Sequence, residues 1–427
     1  MAHQIVIVGG GAGGLELATE LGRRLRGSQA QVTLIDSSLT HIWKPLLHEV
    51  AAGALDAGRE ALSYEAQAKW NHFGFICGRM EGLDRRRQVI KLAAWVGQFS
   101  KVKTPSVEIA YDTLIIAVGS VGNDFQIPGV AENCIFLDSA VQAEGLRENL
   151  LERHIAQATQ HLGSALRVVI IGGGATGVEL SAELVDANRR LAHYHQLRNS
   201  GLANLQVTLL EAGPRLLPAL PARLGAGAMQ DLEDMGITVR TNTAVMRAEP
   251  TGLMDGAGNH IPADVMVWAA GVRAPAFLYE IDGLECNRNG QLIVQSTLQS
   301  SRDPAVFAFG DCAACPLERG SPCTVAALAQ AAHQQASLLV KNMQRLLRGE
   351  PLLDFKFRDR GTLISIASHN TFGRFFGNRV IEGQLARFFY VSLYRVHQAA
   401  LYGYWRTAWL MVGSFVSRST RPKLKLH

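Results

Sequence analysis

Two segments of the chain share one pattern of apolar and polar positions. The first has an almost unbroken β-branched run at 4–9, a helical stretch at 15–25 and a second run at 31–35 that ends at Asp36. The other has runs at 168–171 and 206–210, which flank a helical stretch at 178–191 and end at Glu211. Runs without alternation are typical of strands buried on both faces of a parallel sheet. The pattern therefore predicts two βαβ units.

Three further apolar runs, at 111–119, 263–271 and 306–311, end in small or acidic residues that include Gly119, Gly271 and Asp311. Parallel strands end in this way where a nucleotide lies against the carboxyl edge of the sheet. We therefore predict an α/β fold with two Rossmann-like dinucleotide-binding domains, and treat Gly119 and Gly271 as candidate cofactor-binding residues.

A glycine fingerprint of the form GxGxxG follows the first strand of each unit. Its members are Gly9, Gly11 and Gly14 in one copy, and Gly172, Gly174 and Gly177 in the other. The first glycine permits the tight turn, the second lets the backbone approach a pyrophosphate, and the third lets the helix pack closely on the strand. A single copy is weak evidence, but both copies lie between a strand and a helix, as the motif requires.

Each fingerprint also has an acidic partner at the end of the second strand of its unit. Asp36 lies 22 residues after Gly14, and Glu211 lies 34 residues after Gly177, so we expect an inserted loop near 199–204. Such carboxylates accept hydrogen bonds from ribose hydroxyls; the alternative is that they only cap the strand ends. A carboxylate repels a 2′-phosphate, which favours NADH over NADPH, although Arg215 lies nearby.

Composition places the protein among ordinary globular proteins, with 427 residues, 48% hydrophobic and 19% charged. This length predicts two or three domains. The N-terminus leads directly into a strand, so we expect no signal peptide. Six cysteines are too few for a disulfide framework in so long a chain, which favours a reducing, cytosolic compartment.

The C-terminal tail carries the chain's basic charge. Residues 383–427 hold seven Lys or Arg and no acid, so the remaining residues of this +5 chain sum to −2. Helical spacing places Arg387, Arg395, Gln398 and Arg406 on one face and Leu385, Phe389, Leu393, Val396, Ala400 and Met411 on the other, with a break at Gly403. With Trp405 and Trp409, this is typical of a helix lying on an anionic membrane; no nucleic-acid partner is expected. The alternative is a helix packed on the body or between two copies, so a homodimer stays open.

The two fingerprints with the late Gly310-Asp311 pair resemble the two-dinucleotide-binding-domain flavoproteins, and four stretches resemble the type II NADH:quinone oxidoreductases. These stretches are HIWKPLLHEVAAG at 41–53, GGGATGVELSAEL at 172–184, AQAAHQ at 329–334 and the tail at 381–427. The resemblance implies that NADH is oxidised through FAD, that a membrane quinone is reduced without proton pumping, and that the protein lies peripherally on the cytoplasmic face of the cell membrane. It also implies an FAD-binding domain at 1–165 and 286–370, an NADH-binding domain at 166–285 and a membrane-associating region at 371–427.

The resemblance further implies roles for individual residues. Asp311 would bind the ribityl chain of FAD, with capping of a helix as the alternative. Lys44 and Pro45 would lie beside the flavin, with a simple loop as the alternative. Gln330 and Gln334 would lie at the flavin and the quinone pocket, with a polar pair on a solvated helix face as the alternative. Glu179 would lie near the nicotinamide and the flavin; the alternative is a first-turn glutamate favoured by the helix dipole.

The cysteines argue against disulfide-reductase chemistry, since none precedes Cys77, where that class has its redox pair after the first fingerprint. Cys312 and Cys315 form a lone CxxC, which is a weak metal or redox signal, and we predict no metal site. Two other functions stay open: a soluble FAD-dependent NAD(P)H reductase of a protein or another small acceptor, and a nucleotide-binding redox sensor with little turnover.

Overall fold

The computed structural model describes most of the chain. The described residues are 2–96, 103–160, 165–194, 205–279, 281–367, 370–375, 379–403, 405–409 and 411. They form two compact units. The first comprises Met1–Trp43, Ala61–Val121 and Arg273–Asp359, and the second comprises Lys44–Glu60, Gly122–Val272 and Arg360–His427. The boundaries of these compact units differ from those of the predicted functional domains. The functional boundaries stay a prediction.

The first unit is built on a parallel five-stranded sheet. Its strands, in spatial order, are Val306–Ala308, Thr113–Ile116, His3–Val8, Ala30–Asp36 and Gly74–Cys77. Ile5, Ile7, Leu34 and Ile115 are fully buried in it, as the unbroken apolar runs predict. Helix Ala12–Arg24 follows the first strand and packs against helix Ala329–Leu347. The first predicted βαβ unit is therefore confirmed.

Smaller elements complete the first unit. An antiparallel sheet contains Met80–Asp84, Val89–Leu92 and Val107–Ala110, and helix Tyr64–Asn71 precedes strand Gly74–Cys77. Two-residue strands pair Thr40–His41 with Leu62–Ser63, Trp95–Val96 with Lys103–Thr104, and Leu292–Ile293 with Ala313–Ala314.

The second unit repeats the architecture. Its parallel sheet runs in the order Ile135–Phe136, Val265–Trp268, Leu166–Ile171, Leu205–Leu210 and Thr238–Arg240. Its long helices are Ala140–Gln160, Ala175–Tyr194 and Ala222–Asp234, and the short helix Leu47–Ala51 packs on the first two. An antiparallel sheet of Val245–Glu249, Gly252–Asp255 and His260–Pro262 shares its core through Leu253 and Trp268. The second βαβ unit and the predicted α/β fold are confirmed; the loop expected near 199–204 lies outside the described residues.

A C-terminal module belongs to the second unit. Strands Gly361–Ile366, Asn370–Phe375 and Arg379–Glu382 form an antiparallel sheet on which helix Gln384–Tyr402 packs. The helix ends at Gly403, whose φ of 80° breaks it as predicted. Arg395 donates to Gln398 at 2.6 Å, so these two share a face, but Gln398 is buried and this face is partly turned toward the protein. The tail beyond Met411, including its last four basic residues, lies outside the described residues.

Candidate functional site

The first glycine fingerprint forms a turn that admits no side chain at two positions. A Cβ on Gly14 would lie 1.9 Å from the Gly9 carbonyl oxygen, and Gly9 itself has a φ of +104°. Around a Cβ at Gly11, in contrast, the described structure holds nothing within 4 Å. Gly9 and Gly14 are thus required by the turn, whereas Gly11 leaves its surface open at the start of helix Ala12–Arg24, where a phosphate would be received.

Asp36 shapes this turn. Its Oδ2 accepts from the Gly10 N–H at 2.6 Å, and its Oδ1 accepts from the Ser38 N–H at 2.8 Å. Burial raises the pKa of the carboxyl, while the hydrogen bonds from the backbone of Gly10 and Ser38 lower it. Asp36 therefore lies beside the first fingerprint turn; its bond to a ribose stays a prediction.

Tyr64 and His41 also hold the first turn. Sequence reasoning missed Tyr64 and gave His41 no role of its own. The Tyr64 hydroxyl donates to the Gly10 carbonyl oxygen at 2.7 Å, and a Cβ on Gly10 would lie 2.5 Å from that hydroxyl. Burial lowers the pKa of His41 to about 4, against a hydrogen bond with the Gly10 backbone. Gly10 is thus a glycine because Tyr64 covers it.

The predicted cofactor residues Gly119 and Asp311 come together in the first unit. Gly119 has a φ of +71°, and the hydroxyl of the next residue, Ser120, donates to Asp311 Oδ2 at 2.7 Å. The helical turn Gly310–Cys312 is preceded by Phe309 at its N-cap, so Asp311 does not cap it. Gln335, which sequence reasoning did not select, accepts from the Gly310 N–H at 2.8 Å.

Gln330 and Gln334 share one face of helix Ala329–Leu347, as their spacing predicts. Gln334 donates to the Arg358 carbonyl at 2.9 Å and accepts from the Arg358 N–H at 3.0 Å. Gln330 donates to Asp359 Oδ1 at 3.2 Å. Between them, His333 Nδ1 lies 2.6 Å from the buried Glu16 carboxylate of the fingerprint helix. Both glutamines therefore fix the 358–359 segment; their roles toward quinone stay a prediction.

The second fingerprint has the geometry of the first. A Cβ on Gly177 would lie 2.0 Å from the Gly172 carbonyl oxygen, whereas nothing described lies within 4 Å of one on Gly174. Glu211 Oε2 accepts from the Gly173 N–H and Oε1 from the Gly213 N–H, both at 2.7 Å. Glu211 thus links the second turn to the loop that follows its own strand, as Asp36 does for the first turn.

Two more residues border the second turn. Arg215 donates to the carbonyls of Leu220 at 3.0 Å and Pro218 at 2.8 Å, so its guanidinium is engaged in its own loop. Gly271 has a φ of +67° after strand Val265–Trp268. The engagement of Arg215 supports the expected preference for NADH.

Lys44, Pro45 and Glu179 lie in the second unit. Lys44 and Pro45 form a helical turn, in which Lys44 Nζ lies 3.3 Å from Asp138 Oδ1. Glu179 is buried on helix Ala175–Tyr194, and its Oε1 accepts from the Ser365 N–H at 3.1 Å. Glu179 is the fifth residue of this helix, whose first turn holds no acid, so it is not a first-turn glutamate. The catalytic role of Glu179 stays a prediction.

The six cysteines are free thiols, and Cys312 and Cys315 of the CxxC are both buried. Burial raises the pKa of each of these two thiols to about 12. Within the described residues, no group of three or more His, Cys, Asp or Glu could hold a metal ion. Cys312 and Cys315 are therefore protonated, and the reactive species of a thiol is the thiolate.

The chain is similar to known proteins over its whole length. The family model of the pyridine nucleotide-disulphide oxidoreductases matches residues 3–336. A type II NADH:quinone oxidoreductase of Haemophilus influenzae is 44% identical, over 99% of each chain, and one of Staphylococcus aureus is 27% identical, over 90% of this chain and 92% of its own. The structure of NDH2 from Plasmodium falciparum in complex with NADH has the same fold, with a TM-score of 0.82 at 19% identity and full coverage of both chains. The chain thus belongs to the pyridine nucleotide-disulphide oxidoreductase family and, within it, to the type II NADH:quinone oxidoreductases.

Proposed function

We propose that the protein catalyses the reaction NADH + quinone + H⁺ → NAD⁺ + quinol with FAD as its cofactor and without pumping protons. The observation that carries the proposal is the pair of fingerprint turns. Each is open at its middle glycine, and each donates a backbone hydrogen bond to an acid at the end of the neighbouring strand. The chain that carries them is 44% identical to a type II NADH:quinone oxidoreductase. The order of the fingerprints assigns FAD to the first and NADH to the second, as in the family.

The residues of each turn fit the group assigned to it. Gly11 in the first turn and Gly174 in the second leave room for a pyrophosphate, which the N–H groups at the helix start can bind. Asp36 and Glu211 are proposed to accept hydrogen bonds from the ribose hydroxyls of these nucleotides. Bound FAD supplies the two-electron chemistry, and the protein supplies binding and orientation. Lys44, Pro45, Gly119, Gly271 and Asp311 complete the proposed cofactor-binding residues.

Three residues are proposed to serve the quinone. One proton of the quinol comes with the hydride of NADH, and the other is taken up from water. Glu179 is a buried carboxylate that can pass this second proton, and the amides of Gln330 and Gln334 are proposed to orient the quinone. The assignment rests on the family resemblance, on the burial of Glu179 and on the shared helix face of the glutamines.

Rapid mixing of the purified yellow protein under anaerobic conditions tests the function. We expect NADH to bleach the flavin absorbance and a water-soluble ubiquinone or menaquinone analogue to restore it, with NADPH much slower in the first step. Bleaching by NADH followed by reoxidation with ferredoxin but not with quinone would favour a soluble reductase instead. Failure of NADH to bleach the flavin would contradict the proposal as a whole.

We also propose that the C-terminal helices lie on an anionic membrane, on the cytoplasmic side. Among the described residues, no helix is both long and apolar enough to span a bilayer. Large apolar side chains are nevertheless exposed near the C-terminus: Phe388 at 68%, Trp405 at 85% and Trp409 at 74%. Exposed tryptophans beside arginines are typical of helices at a membrane interface.

Replacing both Trp405 and Trp409 with alanine should release the protein from vesicles of phosphatidylglycerol and phosphatidylcholine. We expect partitioning to fall at least about tenfold, because the loss of two aromatic rings removes apolar area that the interface would bury. Vesicle sedimentation measures it, and added salt should weaken binding of the unchanged protein as well. The control is Trp70→Ala, since Trp70 is exposed on helix Tyr64–Asn71 of the first unit. Equal retention of the double variant would contradict membrane binding by this segment.

A further inference from the structure

The Glu179 carboxylate has a partner at each of its oxygens. Oε1 accepts from the Ser365 N–H of the C-terminal sheet at 3.1 Å. Oε2 lies 3.7 Å from Nδ1 of His48, on the short helix Leu47–Ala51. Glu179 is 8% exposed and His48 is 4% exposed, so water screens neither group well. The second separation exceeds a hydrogen bond, so the ring and the carboxylate interact as a dipole and a charge across 3.7 Å.

His48 is a neutral imidazole in this surrounding. Burial lowers its pKa to about 4, against a hydrogen bond with the backbone of Pro45. Other ionisable groups also lie near helix Leu47–Ala51. Arg147 and His154 line a pocket with Ala51 and Gly53, and Lys44, in the preceding turn, is paired with Asp138. A neutral imidazole has a single N–H. On Nδ1, the atom that faces Glu179, this N–H can be shared between the Pro45 carbonyl and the Glu179 carboxylate, and it adds no net charge.

We infer that His48 is a positioning residue for Glu179: its imidazole and the Ser365 amide hold the carboxylate as the anion that takes up the proton for the quinol. The inference rests on the proton-transfer role proposed for Glu179. It adds a residue from a distant part of the sequence to the reaction and gives the motif at 41–53 a function besides cofactor binding. His48 acts through Glu179 and need not contact the quinone.

Three substitutions of His48 separate a dipole effect from a packing effect. His48→Leu removes the polar group, and His48→Gln moves the amide toward the place of Nε2. His48→Asn keeps an N–H near the place of Nδ1, the atom that faces Glu179. Leucine and glutamine should therefore act alike, whereas asparagine should stay close to the unchanged protein. Flavin content shows which variants are folded, and the glutamine variant serves if leucine does not fold.

The measurement is the pH dependence of two rates: reduction of the flavin by NADH and turnover with quinone. A lost donor destabilises the charged form of a carboxyl, so the pKa of Glu179 rises and the acid limb of quinone-dependent kcat moves to higher pH. We expect a shift of about one unit, so that kcat below the limb falls about tenfold. The rate at which NADH reduces the flavin should be unchanged, because that step does not require the proton that Glu179 passes to the quinol.

His154→Gln is the matched control. His154 is also a buried histidine of the second unit, but its Nδ1 lies 2.8 Å from the Leu150 carbonyl oxygen of its own helix. In the His154→Gln variant, the acid limb of quinone-dependent kcat should not move.

Glu179→Gln should slow the quinone step and abolish the limb. If Glu179→Gln does so and the leucine and glutamine variants of His48 leave the limb in place, the inference about His48 is wrong. Equal shifts in all three His48 variants would also overturn it. If Glu179→Gln leaves the quinone step unchanged, the role proposed for Glu179 itself fails.

Discussion

Replacing Gly14 with alanine should abolish FAD binding by distorting the first fingerprint turn, whereas replacing Gly11 should weaken it with the turn intact. The Cβ of the first variant would lie 1.9 Å from the Gly9 carbonyl oxygen, so the helix and the strand must separate. We expect a stability loss on the order of 3 kcal/mol, as for an overpacked core. Gly11 has an ordinary φ of −58° and open space around it, so alanine there leaves the fold nearly unchanged.

The Gly11→Ala variant should nevertheless bind FAD about 10- to 100-fold more weakly, because its Cβ fills the space through which the pyrophosphate would approach the backbone. The expected loss is that of about one hydrogen bond to a charged group. Denaturant unfolding of the flavin-free protein measures stability, and fluorescence titration with FAD measures affinity. Gly227→Ala is a control in the second unit, since its Cβ would also meet open space. Undiminished FAD affinity in the Gly11 variant would mean that the pyrophosphate does not approach this residue.

Both turns could be predicted from the sequence because all their requirements are local. Gly9, Gly11 and Gly14 lie within six residues, and Asp36 follows at the distance that one helix and one strand impose. The pairing of Ile5 with Val32 then brings Asp36 beside Gly10 without any further information. A pattern that is local in sequence thus determines the contact between Gly10 and Asp36, which lie 26 residues apart in the chain.

The groups that support the site could not be predicted, because their partners are distant in sequence and carry no motif. Tyr64 reaches Gly10 across 54 residues, and Ser365 reaches Glu179 across 186. Nothing in the sequence near Tyr64 distinguishes it from a core tyrosine. The partners of Gln330 and Gln334 show the same limit: helical spacing predicts a shared face, but not that Arg358 and Asp359 occupy it.

Exchanging the carboxylate of Glu211 for an amide should weaken NADH binding without affecting FAD. Glu211 accepts from the Gly173 and Gly213 N–H groups with one oxygen each, and glutamine has a single acceptor oxygen. In Glu211→Gln, one of these N–H groups therefore faces an NH₂, and the proposed contact with the ribose loses its charged acceptor. We expect KM for NADH to rise about 10- to 100-fold. The preference for NADH over NADPH should shrink, because repulsion of the 2′-phosphate is gone.

Asp36→Asn is the matched reciprocal change, since Asp36 accepts from Gly10 and Ser38 in the same way. It should lower the affinity for FAD and, once excess FAD restores the holoenzyme, leave KM for NADH unchanged. FAD titration and steady-state kinetics on both variants give a crossed result in which each acid affects one nucleotide. If instead Glu211→Gln weakened FAD and Asp36→Asn raised KM for NADH, the two sites would have to be exchanged. The geometry of the turns is the same in both units, so the crossed experiment tests which nucleotide each turn binds.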